Sequence, residues 1–121
     1  MSRPPQVDVQ HHADHTILVV HGRVFIDTIH PLRAALAPLL DADRPRIIVD
    51  LSDVDLCDSS GLNLIATSHQ TAATRDGWLR VVGLQPMVRR AIEATNLNRL
   101  LFIHATIDDA IHGRHPAAET E

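Results

Sequence analysis

Apolar residues along this chain recur with two periods, one close to 2 and one close to 3.6, and the switches between them predict the elements. Val7 and Val9 alternate with polar neighbours, and Thr16-Ile17-Leu18-Val19-Val20 is an apolar run ended by Gly22. With residues 12–15 as the turn between them, the two stretches predict a hairpin. Ile29, Leu32, Leu36, Leu39 and Leu40 then fall at helical spacing, with Asp27 or Thr28 as a cap and Pro31 in the first turn. Pro38 lacks a backbone donor, so this helix is expected to end early or irregularly. Residues 46–51 hold the β-branched run Ile47-Ile48-Val49, which suits a central strand covered on both faces. From Gly61 onward, Leu62, Ile65, Ala66, His69, Ala72 and Ala73 share one helical face, and Asp76-Gly77 closes that helix before a strand over 78–82. Pro86 opens a further helix with Val88, Ala91, Ile92 and Thr95 on one face and Asn96 at its end. Residues 100–103 read as the last strand. Thr106 can cap a final helix with Asp108 and Asp109 in its first turn and Ile107, Ala110 and Ile111 facing inward.

The sum is a hairpin followed by alternating helices and strands. It predicts one α/β domain over residues 7–112, with a small mixed, mostly parallel sheet of about five strands and about four helices. Residues 1–6, with two prolines, read as a flexible leader, and 113–121 as a flexible tail. Loops at the C-terminal ends of the parallel strands are the usual location of sites in such sheets. The formal charge of −4 and the absence of any Lys leave eleven scattered Arg as the only residues charged positive throughout the neutral range. No direct nucleic-acid contact and no polybasic membrane patch is expected from that distribution. The longest apolar runs, such as 34–40, fall well short of the roughly 20 residues that span a bilayer. Together with a single Cys57, this predicts a soluble cytoplasmic protein without membrane insertion.

The candidate chemistry lies in Asp58-Ser59-Ser60-Gly61-Leu62, between the strand ending near Leu51 and the helix beginning near Gly61. Hydroxyls at a helix N-terminus sit where unpaired N–H groups and the positive dipole end tolerate a phosphate. The same residues also suit a plain helix cap worth about 1 kcal/mol. The stretch is not a Gly-x-Ser-x-Gly elbow, and the chain has neither a phosphate-binding loop nor a Lys for one, so no enzyme and no cofactor are expected. His11, His12, Asp14 and His15 are ligand types crowded into one turn. No second cluster completes a coordination sphere, and solvated turn residues are expected, with no metal. His69, alone on an apolar face, is expected to be a satisfied core group. Cys57 precedes Asp58, whose charge disfavours a thiolate, so a buried apolar role is expected for it.

Residues 47–62, Ile47-Ile48-Val49-Asp50-Leu51-Ser52-Asp53-Val54-Asp55-Leu56-Cys57-Asp58-Ser59-Ser60-Gly61-Leu62, closely resemble the signature of STAS domains. This is the family of bacterial anti-sigma factor antagonists and sulfate-transporter C-terminal domains. The similarity extends to Gly22, to 79–90 and to 97–101. The resemblance implies that Ser59, directly after the motif's Asp, is phosphorylated by a partner anti-sigma factor, a serine kinase of the histidine-kinase-like ATPase type. The unmodified protein would bind that partner and free a sigma factor, and a phosphoserine phosphatase would reset the modified form. The chain is then a substrate and a ligand rather than a catalyst. Antagonists of this family usually carry an acidic pair after the second-strand Gly, where this chain has Gly22-Arg23-Val24-Phe25, with Asp27 nearby. The implied partner surface comprises Arg23, Phe25, Asp27, Asp58, Ser59, Ser60, Gly61 and Leu62, with Gly61 letting a partner backbone come close. The other reading is a STAS scaffold or transporter-associated subunit in which Ser59 is only a structural cap.

Overall fold

The computed structural model describes residues 4–113. β1 (Gln6–His11) and β2 (Thr16–His21) form the hairpin, paired antiparallel from Gln6↔His21 to His11↔Thr16. β3 (Arg46–Asp53), β4 (Trp78–Val82) and β5 (Phe102–His104) follow in parallel, and the sheet order is the chain order, β1 to β5. The crossovers are α1 (His30–Leu40), α2 (Ser59–Thr74) and α3 (Pro86–Ala94), and α4 (Ile107–His112) closes the described chain. This is the mixed, mostly parallel sheet with four helices that the periodicity predicts.

The sheet buries its two faces unequally. Leu18, Val20, Ile47, Val49, Leu51, Leu79 and Val81 pack beneath Leu32 and Leu36 of α1, Leu62 and Ile65 of α2, and Val88 and Ile92 of α3. On the other face Ile17, Ile48 and Val82 meet Ala110 of α4, with Ile107, Ile111 and Trp78 at the margin. The continuous run Ile47-Ile48-Val49 has no polar member because both faces of β3 are covered.

Four local expectations need correction. α1 continues through Pro38 to Leu40, because the ring lies on the exposed side and the helix loses one backbone hydrogen bond without unwinding. Asp27 and Thr28 do not cap α1. They belong to a separate 3-10 turn over Ile26–Thr28, and the residue before α1 is Ile29, which supplies no side-chain cap. The last strand begins at Phe102, not at residue 100, because Asn96 takes a left-handed φ of 61° after α3 and a 3-10 turn over Leu97–Arg99 carries the chain on until Leu101 reaches the core. β1 begins at Gln6 with Pro5 already buried, so part of the expected leader is built into the fold. Residues 1–3 and 114–121 of the expected leader and tail lie outside the described residues.

Asp76-Gly77 does close α2, with the labour divided. Asp76 takes the positive φ of 61°, and Gly77 is required because a Cβ there would overlap the Pro45 carbonyl oxygen. Thr106 caps α4 by accepting from the Asp109 N–H, as its spacing predicts.

Candidate functional site

Two loops at the C-terminal ends of β2 and β3 are zipped together. Val24 and Cys57 form an isolated parallel bridge, in which the Val24 N–H donates to the Leu56 carbonyl at 3.0 Å and the Asp58 N–H to the Val24 carbonyl at 3.0 Å. The bridge brings Asp58 beside the Ile26–Thr28 turn, 32 residues away in sequence. Its Oδ1 accepts from the Gly61 N–H at 3.2 Å and from the Ser60 hydroxyl, and its Oδ2 accepts from the Ile26 N–H at 2.9 Å. Partial burial works against the charge, but the hydrogen bonds from Ser60, Gly61 and Ile26 outweigh it and hold the carboxyl below its ordinary pKa.

α2 begins at Ser59, two residues before the position expected, and its N-cap is Asp58. Ser59 occupies the first helical position, is exposed, and its hydroxyl bonds to no described residue. A capping role for Ser59 is therefore excluded, since the neighbouring carboxylate already fills it. Ser60 is half-buried and committed to Asp58.

Gly61 and Leu62 do not face outward. A Cβ on Gly61 would lie 2.5 Å from Cys57 Sγ and 2.8 Å from Val24 Cγ1, so the glycine serves internal packing of the two loops and not the approach of a partner backbone. Leu62 is part of the main core. The outer surface is left to Arg23, Phe25, Asp27, Asp58, Ser59 and Ser60. Reading the sequence missed Ile26, which is 71% exposed in their midst. Its signal was an apolar residue falling between the end of β2 and the helical stripe.

Arg23 pairs with Asp55 through Nε and Nη2, each at 3.2 Å. That bond holds the Asp55 carboxyl below its ordinary value. Beside it, His21 lies between Asp53, 2.7 Å from Nδ1, and Asp8, 3.0 Å from Nε2. The bond to Asp53, then that to Asp8, raises the imidazole pKa. Cys57 is buried as expected, and burial, followed by the charge of Asp58, pushes its thiol up to about 12.

His69 is buried edge-on against Phe102, with ring centroids 5.1 Å apart, but its Nδ1 finds no hydrogen-bond partner among the described residues. The expectation of a satisfied group thus fails at that atom. In the hairpin turn, His12 stacks on His15 at 4.7 Å, and His15 bonds Asp14 at 2.8 Å. These residues border a cavity of about 440 Å³ with Arg44 and Arg46, where β2 and β3 begin, at the opposite end of the strands from Ser59. No three His, Cys, Asp or Glu among the described residues are placed to hold a metal ion. No described helix is long and apolar enough to cross a membrane.

Residues 6–110 match the STAS domain. An anti-sigma factor antagonist from Mycobacterium paratuberculosis has the same fold, with a TM-score of 0.82, 27% identity, and coverage of 93% of this chain and 97% of its own. A Thermotoga neapolitana protein, named provisionally as an anti-sigma factor antagonist, is 27% identical over 99 residues, 81% of this chain and 88% of its own. The unphosphorylated form of Bacillus SpoIIAA shares the fold alone, with a TM-score of 0.71 at 16% identity over 91% of this chain and 99% of its own. By a match running from the first strand into the last helix, over a five-stranded sheet in the order β1 to β5, this chain belongs to the STAS domain family.

Proposed function

We propose that this chain is a cytoplasmic anti-sigma factor antagonist that regulates transcription by partner switching. Unmodified, it binds a serine-kinase anti-sigma factor of the histidine-kinase-like ATPase type. Phosphorylation of Ser59 ends that binding, and a phosphoserine phosphatase restores it. The observation that carries this reading is the Ser59 hydroxyl, exposed at the first position of α2 and bonded to no described residue, while Asp58 does the capping and engages Ser60. A kinase needs a reachable hydroxyl whose proton its base can take, and Ser59 offers one, whereas the Ser60 hydroxyl is half-buried with its proton donated to Asp58.

Transfer joins Ser59 Oγ to the γ-phosphorus of ATP, breaks the bond to the ADP oxygen and passes the hydroxyl proton to a base of the kinase. The chain itself supplies no catalytic group. The phosphoryl group adds a charge of about −1.5 to −2 at neutral pH. The α2 N-terminus accommodates that charge inside the domain, so the change is felt at the partner interface, where Asp27 and Asp58 already contribute acid. Arg23, Phe25, Asp27, Asp58, Ser59 and Ser60 form the contact surface, and Gly61 and Leu62 support it from beneath.

The test is incubation with ATP and the co-occurring kinases, with the modified residue located by mass spectrometry. Modification is expected on Ser59, absent in Ser59→Ala, and Ser59→Asp is expected to weaken kinase binding while shifting Tm by no more than a few degrees. Failure of every such kinase to modify or bind the wild-type chain would overturn the reading.

A further inference from the structure

The β2–α1 turn presents a side chain whose exposure its surroundings do nothing to reduce. Ile26 is 71% exposed, more than Met87 at 56%, Phe102 at 43% or Val9 at 42%. A scattered exposed apolar residue is ordinary on a protein surface. What sets Ile26 apart is how firmly its backbone is held. The Ile26 N–H donates to Asp58 Oδ2 at 2.9 Å, the Thr28 N–H to the Phe25 carbonyl at 2.9 Å, and the Phe25 N–H to Thr28 Oγ1 at 3.3 Å. On either side of the turn, Val24 and Ile29 are sunk in the main core. A β-branched side chain with few rotamers on a tethered turn loses little entropy when a partner covers it, which is the property of an interface anchor.

Resting on the antagonist reading above, we infer that Ile26 is the apolar anchor of this surface and that Asp58 sets its position, so that one carboxylate serves both the anchor and the turn that carries Ser59. The partner chemistry follows from the neighbours. Asp27, directly beside the anchor, is exposed and pairs with no cation among the described residues, whereas Asp55 is already neutralised by Arg23. The complementary surface is an apolar socket on the kinase with a cationic side chain at its rim. Arg23 adds little charge to the contact, because its guanidinium is paired with Asp55 within the domain. Asp27 carries the remaining electrostatic part of the contact.

The test uses the full chain and its kinase, titrated calorimetrically at low and at raised salt. Ile26→Ser is expected to weaken binding about tenfold or more, the scale of a central interface residue, with Tm within a few degrees of wild type. Ile26→Leu is expected to restore binding to within about threefold, as a volume-conserving apolar change does. Val9→Ser, the matched change on the far edge strand, is expected to bind as wild type. Asp27→Asn is expected to cause a smaller loss that disappears at raised salt, while the Ile26→Ser loss persists. Ile26→Ser binding within twofold of wild type, or no better restored by Leu than by Ser, would overturn the anchor while leaving the antagonist reading intact. A wild-type chain that binds no kinase would overturn both.

Discussion

At α4 the Thr106 hydroxyl accepts a 3.0 Å hydrogen bond from the Asp109 N–H, inside its own first turn, whereas at α2 the Asp58 carboxylate accepts from its own turn and also from Ile26 in another loop. Both are N-caps with the same backbone geometry, extended at the capping residue. A hydroxyl has one oxygen, and at Thr106 it is used locally. A carboxylate has two, and at Asp58 each serves a different loop. The helices differ accordingly. α4 has six residues and covers the small core cluster, while α2 has sixteen and buries Gly61, Leu62, Ile65, Ala66, Ser68, His69 and Ala72. A cap that only ends a helix can be replaced by any other cap. One that joins two loops on the heavily packed face fixes the surface a partner would meet.

The largest expected effect tests the packing side of this difference. Leu62→Ala, in the main core beneath the first turn of α2, should cost about 2–5 kcal/mol in urea unfolding. Ile107→Ala, at the partly buried start of α4 on the margin of the smaller cluster, should cost less, since less apolar surface is taken from water there and the space left opens towards solvent. Equal losses would break the comparison, because the two helix starts would then rest on equivalent support.

The caps themselves come next. Asp58→Ala and Thr106→Ala should each cost about 1–2 kcal/mol as lost caps. Only Asp58→Ala should also speed amide exchange at Ile26, because only that cap holds a donor outside its helix. The two should separate again in acid. The folded pKa of Asp58 lies below its ordinary 3.8, so its contribution is present above that value and is lost as pH falls through the folded pKa. Asp58→Asn should flatten this part of the acid limb, and Thr106→Ala should leave it unchanged. A Thr106→Ala variant that altered the acid limb equally would show that the difference between the caps is not one of charge.

These residues also show what a sequence reveals and what it hides. Thr106 was legible because its bond spans three residues, whereas at α2 the sequence left the cap open between Asp58 and its neighbouring serines. The bond from Ile26 to Asp58 spans 32 residues and depends on the Val24–Cys57 bridge, which leaves no local pattern. Gly61 was misread for the same reason, since the atoms that exclude its Cβ include Val24 from the other loop. Asp58-Ser59 could be found as a site by its motif, but which of its side chains cap, which pack inward and which stay free is decided by contacts across the fold. The helices, the strands and their succession along the chain needed no such contacts, because periodicity is written into each segment separately. What moved were boundaries, at the turns over Ile26–Thr28 and Leu97–Arg99, at the start of α2 and at the end of α1.

The smallest expected effect has the opposite sign to that of Asp58 and sharpens the contrast between the two helix starts. His21 ties the end of β2 to Asp8 on one side and to Asp53, at the end of β3, on the other. With both ring nitrogens on carboxylates, the imidazole fits best when doubly protonated, and its folded pKa is raised above the ordinary 6.5. Its contribution is therefore fully present below that value and is lost as pH rises through the folded pKa. Amide exchange around Asp8 and Asp53 should accelerate across that interval in the wild type, and His21→Gln should remove the step while leaving the acid limb of Asp58 in place. The tie is solvent-exposed, so the step should be local and leave global unfolding almost unmoved. A step that survives in His21→Gln would assign it to another group. Its loss would mean that the loops leading to α2 are tightest between two titrations of opposite sign, while the uncharged Thr106 cap at α4 follows neither.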